Sequence, residues 1–332
     1  MVVDGAPGRG TVLTLSHWPA SPTPAPLAAD LSAQIAMNWL ASRRRRRWRG
    51  VEAVTIDHLD QDGLVSLYAL ISPQAALVRR EILEEVARVG DFATGWSRHA
   101  ARVSFALATL ADPERSPLDA ARADQSYPQR CAALTEELVD RLPGLVDDPG
   151  SHRHLWAEED AAVTTTQTAL SSGDVWIEEV RDLDLAVVHV ASGCPVLLAT
   201  QFMKRRDASW HPVAIHNAIR AMRVMVVQGA RIELRYRYES WVRMVSQRPA
   251  PRVDLGPLAD QLTAEEAPGG PRWLFDGVEA IVPSLRPAGD GFTTIEPDRV
   301  RAMVETHLRS SPPSWDPWGT VQEVSRRQRP RQ

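Results

Sequence analysis

The sequence predicts an α/β protein with a helix-rich N-terminal α/β part and a β-rich, largely antiparallel C-terminal part. Residues 51–71 pass from an apolar, β-branched segment through a turn into helical spacing, which is typical of a strand that leads into a helix. From Val175 onward the apolar residues follow the two-residue period of strands. We therefore expect an α/β domain over residues 1–172, a β-rich α+β domain over 173–310 and a mobile basic tail over 311–332.

The N-terminal elements are predicted from apolar spacing and from capping residues. Ser72-Pro73 is typical of a helix start, and Gly90 stands where that helix is expected to end. We expect strands at residues 11–15 and 51–56. We expect helical segments at 27–41, 64–71, 73–89, 103–110 and 131–142, and a further helix that begins at 151.

The C-terminal elements are predicted as short strands, most of which pair antiparallel. Gly229-Ala230 fits a two-residue hairpin turn between two of them. We expect strands at 175–180, 185–190, 196–200, 224–227 and 232–238, a further hairpin from 273–275 and 278–282, and a helix at 297–308.

The composition limits the classes of function. The 332 residues include 44% hydrophobic and 24% charged residues, as in globular proteins, and the net charge of -4 argues against a dedicated duplex nucleic-acid binder. Cys131 and Cys194 are far apart, which excludes a Cys-x-x-Cys zinc site. We expect no membrane partner and a cytoplasmic location, because no apolar run approaches the length of a membrane span and no signal pattern is visible.

The turn after residues 51–56 carries the densest chemistry of the chain. Asp57, His58, Asp60 and Asp62 lie within six residues, and Gly63 follows them. Three carboxylates so close together repel one another unless a cation joins them, which indicates a metal site at the carboxyl end of a strand. The alternative is that the carboxylates only shape the turn and cap the next helix.

The segment His58-Leu-Asp60-Gln-Asp62-Gly63-Leu-Val-Ser66 resembles the first motif of the DHH-type phosphoesterases, an Asp-x-Asp-Gly-x-x-Ser/Thr turn often preceded by His. The resemblance implies that His58, Asp60 and Asp62 bind manganese or magnesium and act in hydrolysis of a phosphodiester or phosphoanhydride. The chain as a whole also resembles an uncharacterised bacterial family of unknown function, through residues 58–91 and 211–241.

Further candidate residues lie outside the turn. Asp91 is either a fourth metal carboxylate or a turn residue after Gly90. Arg235 and Arg237 share one strand face, where they would grip phosphate oxygens or form cross-strand charge pairs. Three residues of another segment are candidates for substrate binding or for structural roles, namely His211, His216 and Asn217.

These residues predict a metal-dependent phosphoesterase-like hydrolase that acts on a phosphate-bearing small molecule or nucleotide. The chain contains no Asp-His-His triplet, so a non-catalytic ligand-binding or regulatory module stays open. A haloacid-dehalogenase-type phosphatase with Asp60 as nucleophile is a further alternative, although Leu64 replaces the expected Thr. The run Arg43 to Arg49 would serve as a solvated helix end or as a phosphate contact.

Overall fold

The computed structural model describes residues 1–43, 51–121 and 125–319, and it confirms the predicted fold class. The chain forms two compact units. The first contains Met1–Gln167, Val196–Asn217 and Met244–Ser246, and the second contains Thr168–Pro195, Ala218–Arg243 and the residues from Gln247 onward. The chain therefore returns to the first unit twice after residue 172, the boundary that the sequence predicted. Most of the basic run, residues 44–49, lies outside the described residues, as do residues 320–332 of the predicted tail.

The described residues form ten α-helices and twelve strands. The helices are α1 Ser32–Ala41, α2 Gln61–Ile71, α3 Pro73–Val78, α4 Arg80–Phe92, α5 Arg98–Ala111, α6 Tyr127–Asp147, α7 Arg153–Ser172, α8 Pro212–Ala218, α9 Gly256–Glu265 and α10 Pro297–Ser310. The strands are β1 Val2–Val3, β2 Thr14–Leu15, β3 Val175–Val180, β4 Leu185–Val190, β5 Leu197–Gln201, β6 Lys204–Ala208, β7 Arg223–Gln228, β8 Arg231–Tyr236, β9 Arg252–Val253, β10 Trp273–Phe275, β11 Ser284–Pro287 and β12 Pro313–Trp315.

The first unit packs helices around a very small parallel sheet. Strands β1 and β2 are parallel, and Val2 also forms a parallel bridge with Thr55. Of the strand predicted at residues 51–56, only Thr55 pairs, because β1 is two residues long and offers no further ladder partners. Helix α2 is buried over most of its length and packs against α1, α4 and α6.

The second unit is built on a six-stranded sheet with the order β10-β11-β8-β7-β4-β3. All its pairs are antiparallel except β4–β7, which is parallel. The predicted hairpin is confirmed, since Gln228 pairs with Arg231 and Gly229 takes a left-handed φ of 57°. The apolar face of β8 enters the core of this unit, as the alternation predicted.

Two predicted segments of the second unit differ in the structure. The partner of β10 is β11, not residues 278–282. The backbone at 278–281 instead turns around a buried guanidinium, because the carbonyls of Val278, Ala280 and Ile281 accept hydrogen bonds from Arg252. The start of the predicted tail forms β12, which pairs with β9. No helix within the described residues is long and apolar enough to span a membrane.

Candidate metal centre

Three parallel segments of the first unit end at one place and bring three polar groups together. Asp4 follows β1 directly, His17 lies two residues after β2, and His58 lies three residues after Thr55. The register is fixed by backbone hydrogen bonds, including Asp4 N to Leu15 O at 3.1 Å and Val3 N to Thr55 O at 3.0 Å. Because the carboxyl ends of parallel strands meet at one sheet edge, these short strands assemble a site from distant parts of the sequence.

Two helix N-termini add the carboxylates of the predicted turn. Asp60 caps α2, since its Oδ1 accepts a hydrogen bond from Gly63 N at 2.8 Å. Asp62 accepts from Ser32 N and Ala33 N of α1, both at 2.8 Å. The cap predicted as an alternative to a metal site is thus present, and it occupies only one of the two oxygens of Asp60.

Asp91 enters the same cluster from the C-terminal end of α4. Its side chain is buried, and neither carboxylate oxygen accepts a hydrogen bond from any described residue. The same holds for Oδ2 of Asp4, while Oδ1 of Asp4 accepts from Ser32 Oγ at 2.8 Å. A buried carboxylate oxygen without a donor costs free energy that a bound cation would remove.

The ligand atoms form two groups of three that share Asp4. One group contains Asp4, His58 and Asp60, and the other contains Asp4, His17 and Asp62. Oδ2 of Asp4 lies 3.5 Å from His58 Nε2, whereas Oδ1 of Asp4 lies 3.5 Å from His17 Nε2. His17 Nε2 also lies 3.8 Å from Asp62 Oδ2 and 3.7 Å from Asp91 Oδ2. The two oxygens of Asp4 therefore face two adjacent candidate metal positions.

The tautomer of His17 follows from its backbone contact. Nδ1 lies 2.6 Å from the carbonyl oxygen of Asp30, which can only accept, so Nδ1 carries the hydrogen and Nε2 the lone pair. Burial lowers the pKa of His17 to about 4, which keeps the imidazole neutral near pH 7. A neutral imidazole held by a carbonyl and turned toward carboxylates is a common form of metal-ligating histidine.

The pKa values of the cluster carboxylates are shifted in opposite directions. Burial, followed by the neighbouring negative charges of Asp60 and Asp62, raises the pKa values of Asp4 and Asp91 well above their usual range. Burial and the charge of Asp60 raise the pKa of Asp62 to about 7. Burial acts the same way on Asp60, but the charge and hydrogen bond of His58 outweigh it, and the pKa of Asp60 is lowered. In the metal-free protein, protons thus offset part of the negative charge.

His58 forms the outer side of the cluster. Its Nδ1 lies 2.7 Å from Asp57 Oδ1 and its Nε2 lies 2.8 Å from Asp60 Oδ2, so both ring nitrogens donate to carboxylates. Burial opposes its charged form, but Asp60 and the two hydrogen bonds outweigh burial and raise the pKa of His58. The ring lies 5.3 Å from that of Trp18, and 27% of the side chain is exposed. An imidazolium thus stands beside the carboxylates at the solvent side of the cluster.

The predicted segment at residues 211–217 supports this cluster without joining it. His216 Nδ1 donates to the carbonyl of Phe92 at 2.9 Å, and the side-chain amide of Asn217 exchanges two hydrogen bonds with the backbone of Gly95. These contacts fix the chain just after Asp91. His211 is buried at the start of the same segment, with its Nε2 3.2 Å from Glu159 Oε1.

The predicted arginine pair belongs to the second unit. Arg235 donates to Glu233 from Nε at 3.0 Å. Arg237 follows the end of β8, is buried, and pairs with Glu239 instead of sharing a solvated strand face. Both guanidinium groups are therefore engaged by carboxylates of their own unit.

Sequence reasoning brought together His58, Asp60, Asp62 and Asp91 but missed Asp4 and His17. Both missed residues follow strands of two residues, which are too short to give a period. The available signal was Val2-Val3-Asp4-Gly5, an apolar pair followed by an acidic residue and glycine. A Cβ at Gly5 would lie 2.7 Å from the carboxylate of Asp57, so a larger residue there would displace this side chain.

Comparison with known protein families gives a match over nearly the whole chain. The model of DUF6687, a family of unknown function, matches residues 1–317. No curated protein and no solved structure matches the chain.

Proposed function

Because the chain belongs to the DUF6687 family, whose function is unknown, we propose from the geometry of the cluster that it is a metal-dependent, phosphoesterase-like hydrolase. The ions would be manganese or magnesium, and the substrate a phosphodiester or nucleotide-type molecule. The observation that carries the proposal is the pair of ligand groups that share Asp4, with the oxygens of buried Asp91 beside them.

The donor set supports hard divalent ions. Carboxylate oxygens and imidazole nitrogens suit Mn²⁺ and Mg²⁺, and the described cluster contains no cysteine. Adjacent ligand atoms around an octahedral ion at about 2.1 Å are about 3.0 Å apart. The separations of 3.5 to 3.8 Å around Asp4 and His17 therefore require only small side-chain movements. A carboxylate that bridges two ions is a feature of two-metal hydrolytic sites.

The residues have separable roles in this proposal. Asp4 would bridge two positions, His17 and Asp62 would hold the inner one, and Asp91 would neutralise remaining charge there. His58 and Asp60 would hold the outer position, which is nearer to solvent because His58 is partly exposed. An ion there would displace the proton on His58 Nε2, since only a nitrogen with a free lone pair binds a metal. When bound, divalent ions supply a water nucleophile at neutral pH and polarise the phosphoryl group. The resemblance of residues 58–66 to the DHH-type first motif supports the same chemistry.

The test is a titration of metal-free protein with Mn²⁺, followed by assays of phosphodiesters with Mn²⁺ present. We expect His58→Ala to weaken Mn²⁺ binding about tenfold, which is about 1.4 kcal/mol. Asp160→Asn is the matched control, because Asp160 belongs to the same unit but binds Arg98 and Arg102. Wild-type protein that takes up no Mn²⁺ would refute the proposal.

A second candidate is a metal-holding module without turnover. The inner carboxylates are buried, and of the six residues of the cluster only His58 has substantial exposure. Stoichiometric Mn²⁺ uptake without hydrolysis of any phosphodiester would favour this candidate over the hydrolase.

A further inference from the structure

The hairpin β5–β6 lies against the end of α4 that carries Asp91. Phe202 N lies 3.5 Å from the carbonyl oxygen of Gly90, and the amide of Gln201 lies 3.5 Å from the carbonyl oxygen of Asp91. The hairpin is anchored one residue earlier, where Thr200 N donates to the buried carboxylate of Glu159 at 2.8 Å. All of these residues belong to the first unit. The hairpin tip is therefore fixed within one residue of a proposed metal ligand.

The turn of this hairpin is held in an unfavourable backbone conformation. Phe202 and Met203 connect the paired residues Gln201 and Lys204, and both have left-handed φ angles, 52° and 53°. Two-residue hairpins need such angles but usually obtain them with glycine or asparagine, because other side chains cost about 1 kcal/mol or more. Strain of this kind is concentrated at functional sites. The tip thus has a strained geometry as well as an anchored position.

The strand register sets which basic side chains share the face of Gln201. Directly opposite residues of an antiparallel pair have their side chains on the same face, so Lys204 lies on the face from which Gln201 reaches Asp91. Arg206, two residues on, shares this face, whereas Arg205 lies on the other. Lys204 is exposed, and within the described residues its ammonium has no ion-pair partner. It is also the only lysine of the chain.

We infer that the hairpin face with Lys204 is a binding subsite for a second anionic group of the substrate, next to the metal centre. The inference rests on the proposed function and specifies its substrate class: phosphodiesters whose alcohol beyond the reacting phosphate carries a negative charge. Lys204 is exposed and has a long flexible stem, so its ammonium can move to meet an anionic group at the hairpin. Arg206, which packs over the Trp210 ring at 4.9 Å, adds positive charge to the same face.

The test uses three p-nitrophenyl phosphodiesters with the Mn²⁺-loaded full chain. Their second alcohols are choline, propanol and 3-phosphopropanol, which carry a positive, no and a negative charge. We expect the KM of the wild type to be about tenfold lower for the 3-phosphopropyl ester than for the propyl ester. If the esters are bound without hydrolysis, the same ratio is expected in Kd.

Lys204→Met should remove most of this preference, and Lys204→Arg should restore it. Mn²⁺ uptake should be unchanged in both variants. Arg205→Met is the matched control, because Arg205 lies on the opposite face with Asp207 3.7 Å away.

An identical preference in wild type and Lys204→Met would overturn the inference and leave the metal centre standing. Absence of any preference in wild type would do the same. Wild-type protein without Mn²⁺ uptake would overturn the proposed function, and the inference with it.

Discussion

The two units differ in how their buried charged side chains are paired. In the second unit Arg252 is fully buried, and its three nitrogens donate to Ser240 Oγ and to the carbonyls of Val278, Ala280 and Ile281. In the first unit Asp91 is equally buried, yet its oxygens accept no hydrogen bond from the described residues.

This difference separates a charge with a structural role from one with a proposed binding role. Arg252 has no carboxylate partner among the described residues, but carbonyl dipoles and the rings of Tyr236 and Trp315, at 5.4 and 4.9 Å, compensate its charge. Burial and the neighbouring carboxylates raise the pKa of Asp91, so proton uptake offsets its charge until a cation binds. Complete pairing therefore indicates a structural role, and incomplete pairing within a ligand-rich cluster indicates a binding role.

The largest expected loss of stability follows replacement of the buried Arg252. Arg252→Met should destabilise the protein by about 4 kcal/mol, because buried carbonyls that now accept from the guanidinium would lose their donors. Urea unfolding followed by tryptophan fluorescence measures this loss. Arg235→Met is the control and should cost less than about 1 kcal/mol, since Arg235 forms a partly exposed pair with Glu233. Equal losses of stability in the two variants would mean that Arg252 has no special structural role.

The second prediction concerns the incompletely paired charge of the first unit, Asp91, and the stability that a bound metal adds. At a concentration of Mn²⁺ one hundred times its Kd, wild-type protein should gain about 2.7 kcal/mol of stability, because the ion binds only the folded state. Asp91→Asn should gain much less. In chelator, however, it should be as stable as the wild type or more so, since a buried carboxyl that must take up a proton on folding is gone. Thermal melts in chelator and in Mn²⁺ measure both quantities, and an Asp91→Asn variant destabilised equally in both conditions would argue against a ligand role.

The pH dependence of the metal-free protein should fall in a defined window. Asp4, Asp62 and Asp91 have raised pKa values in the folded state, so their contribution to stability is lost as pH rises through those values. His17, whose pKa is lowered, acts in the opposite direction only below about pH 6.5. From pH 6.5 upward, where His17 no longer opposes them, the metal-free protein should therefore lose about 1.4 kcal/mol of stability per pH unit for each proton that the folded cluster retains.

Urea unfolding in chelator at several pH values measures this loss. Added Mn²⁺ should abolish it, because the ion replaces the retained protons. A flat profile in chelator would mean that the folded cluster retains no protons in this range.

The smallest expected effect concerns the helix cap. Asp60→Ala should lose the hydrogen bond from Gly63 N and cost about 1 kcal/mol in chelator. Asp60→Asn keeps an acceptor there, so it should retain most of the cap while Mn²⁺ affinity falls in both variants. Thermal melts of the two variants in chelator and in Mn²⁺ measure both effects. They distinguish the role of the oxygen that caps α2 from the role of the oxygen that faces His58. Equal Mn²⁺ affinity in Asp60→Asn and wild type would leave Asp60 with the cap alone.

Long periodic segments of the fold were predictable from sequence, and short ones were not. The alternation of Ile232, Leu234 and Tyr236 predicted β8 and its buried face. The strand predicted at 278–282 failed, because its apolar residues gave the right period while their carbonyls bind Arg252. Such a tertiary contact has no local signature.

The residues of the candidate site likewise fall into those that were predictable from the sequence and those that were not. His58, Asp60 and Asp62 stand together in sequence, so local charge density predicted the cluster in which they meet. Asp4 and His17 reach it only through the pairing of two-residue strands, which no period of the sequence reveals. A search for acidic or imidazole side chains directly after short apolar pairs would have found Asp4.

The discontinuous first unit has a consequence for how the protein is made. The carboxylate of Asp30 accepts hydrogen bonds from Val245 N at 2.7 Å and from Ser246 N at 2.9 Å, across more than 200 residues of intervening chain. Asp30 lies two residues before α1, and its carbonyl accepts from Nδ1 of His17. During synthesis at about 5–20 residues per second, this closure must wait until the ribosome has released residue 246. The nascent N-terminal segment thus spends many seconds with its carboxylate-rich pocket unfinished, a period in which a chaperone or an early-bound ion would have the most influence.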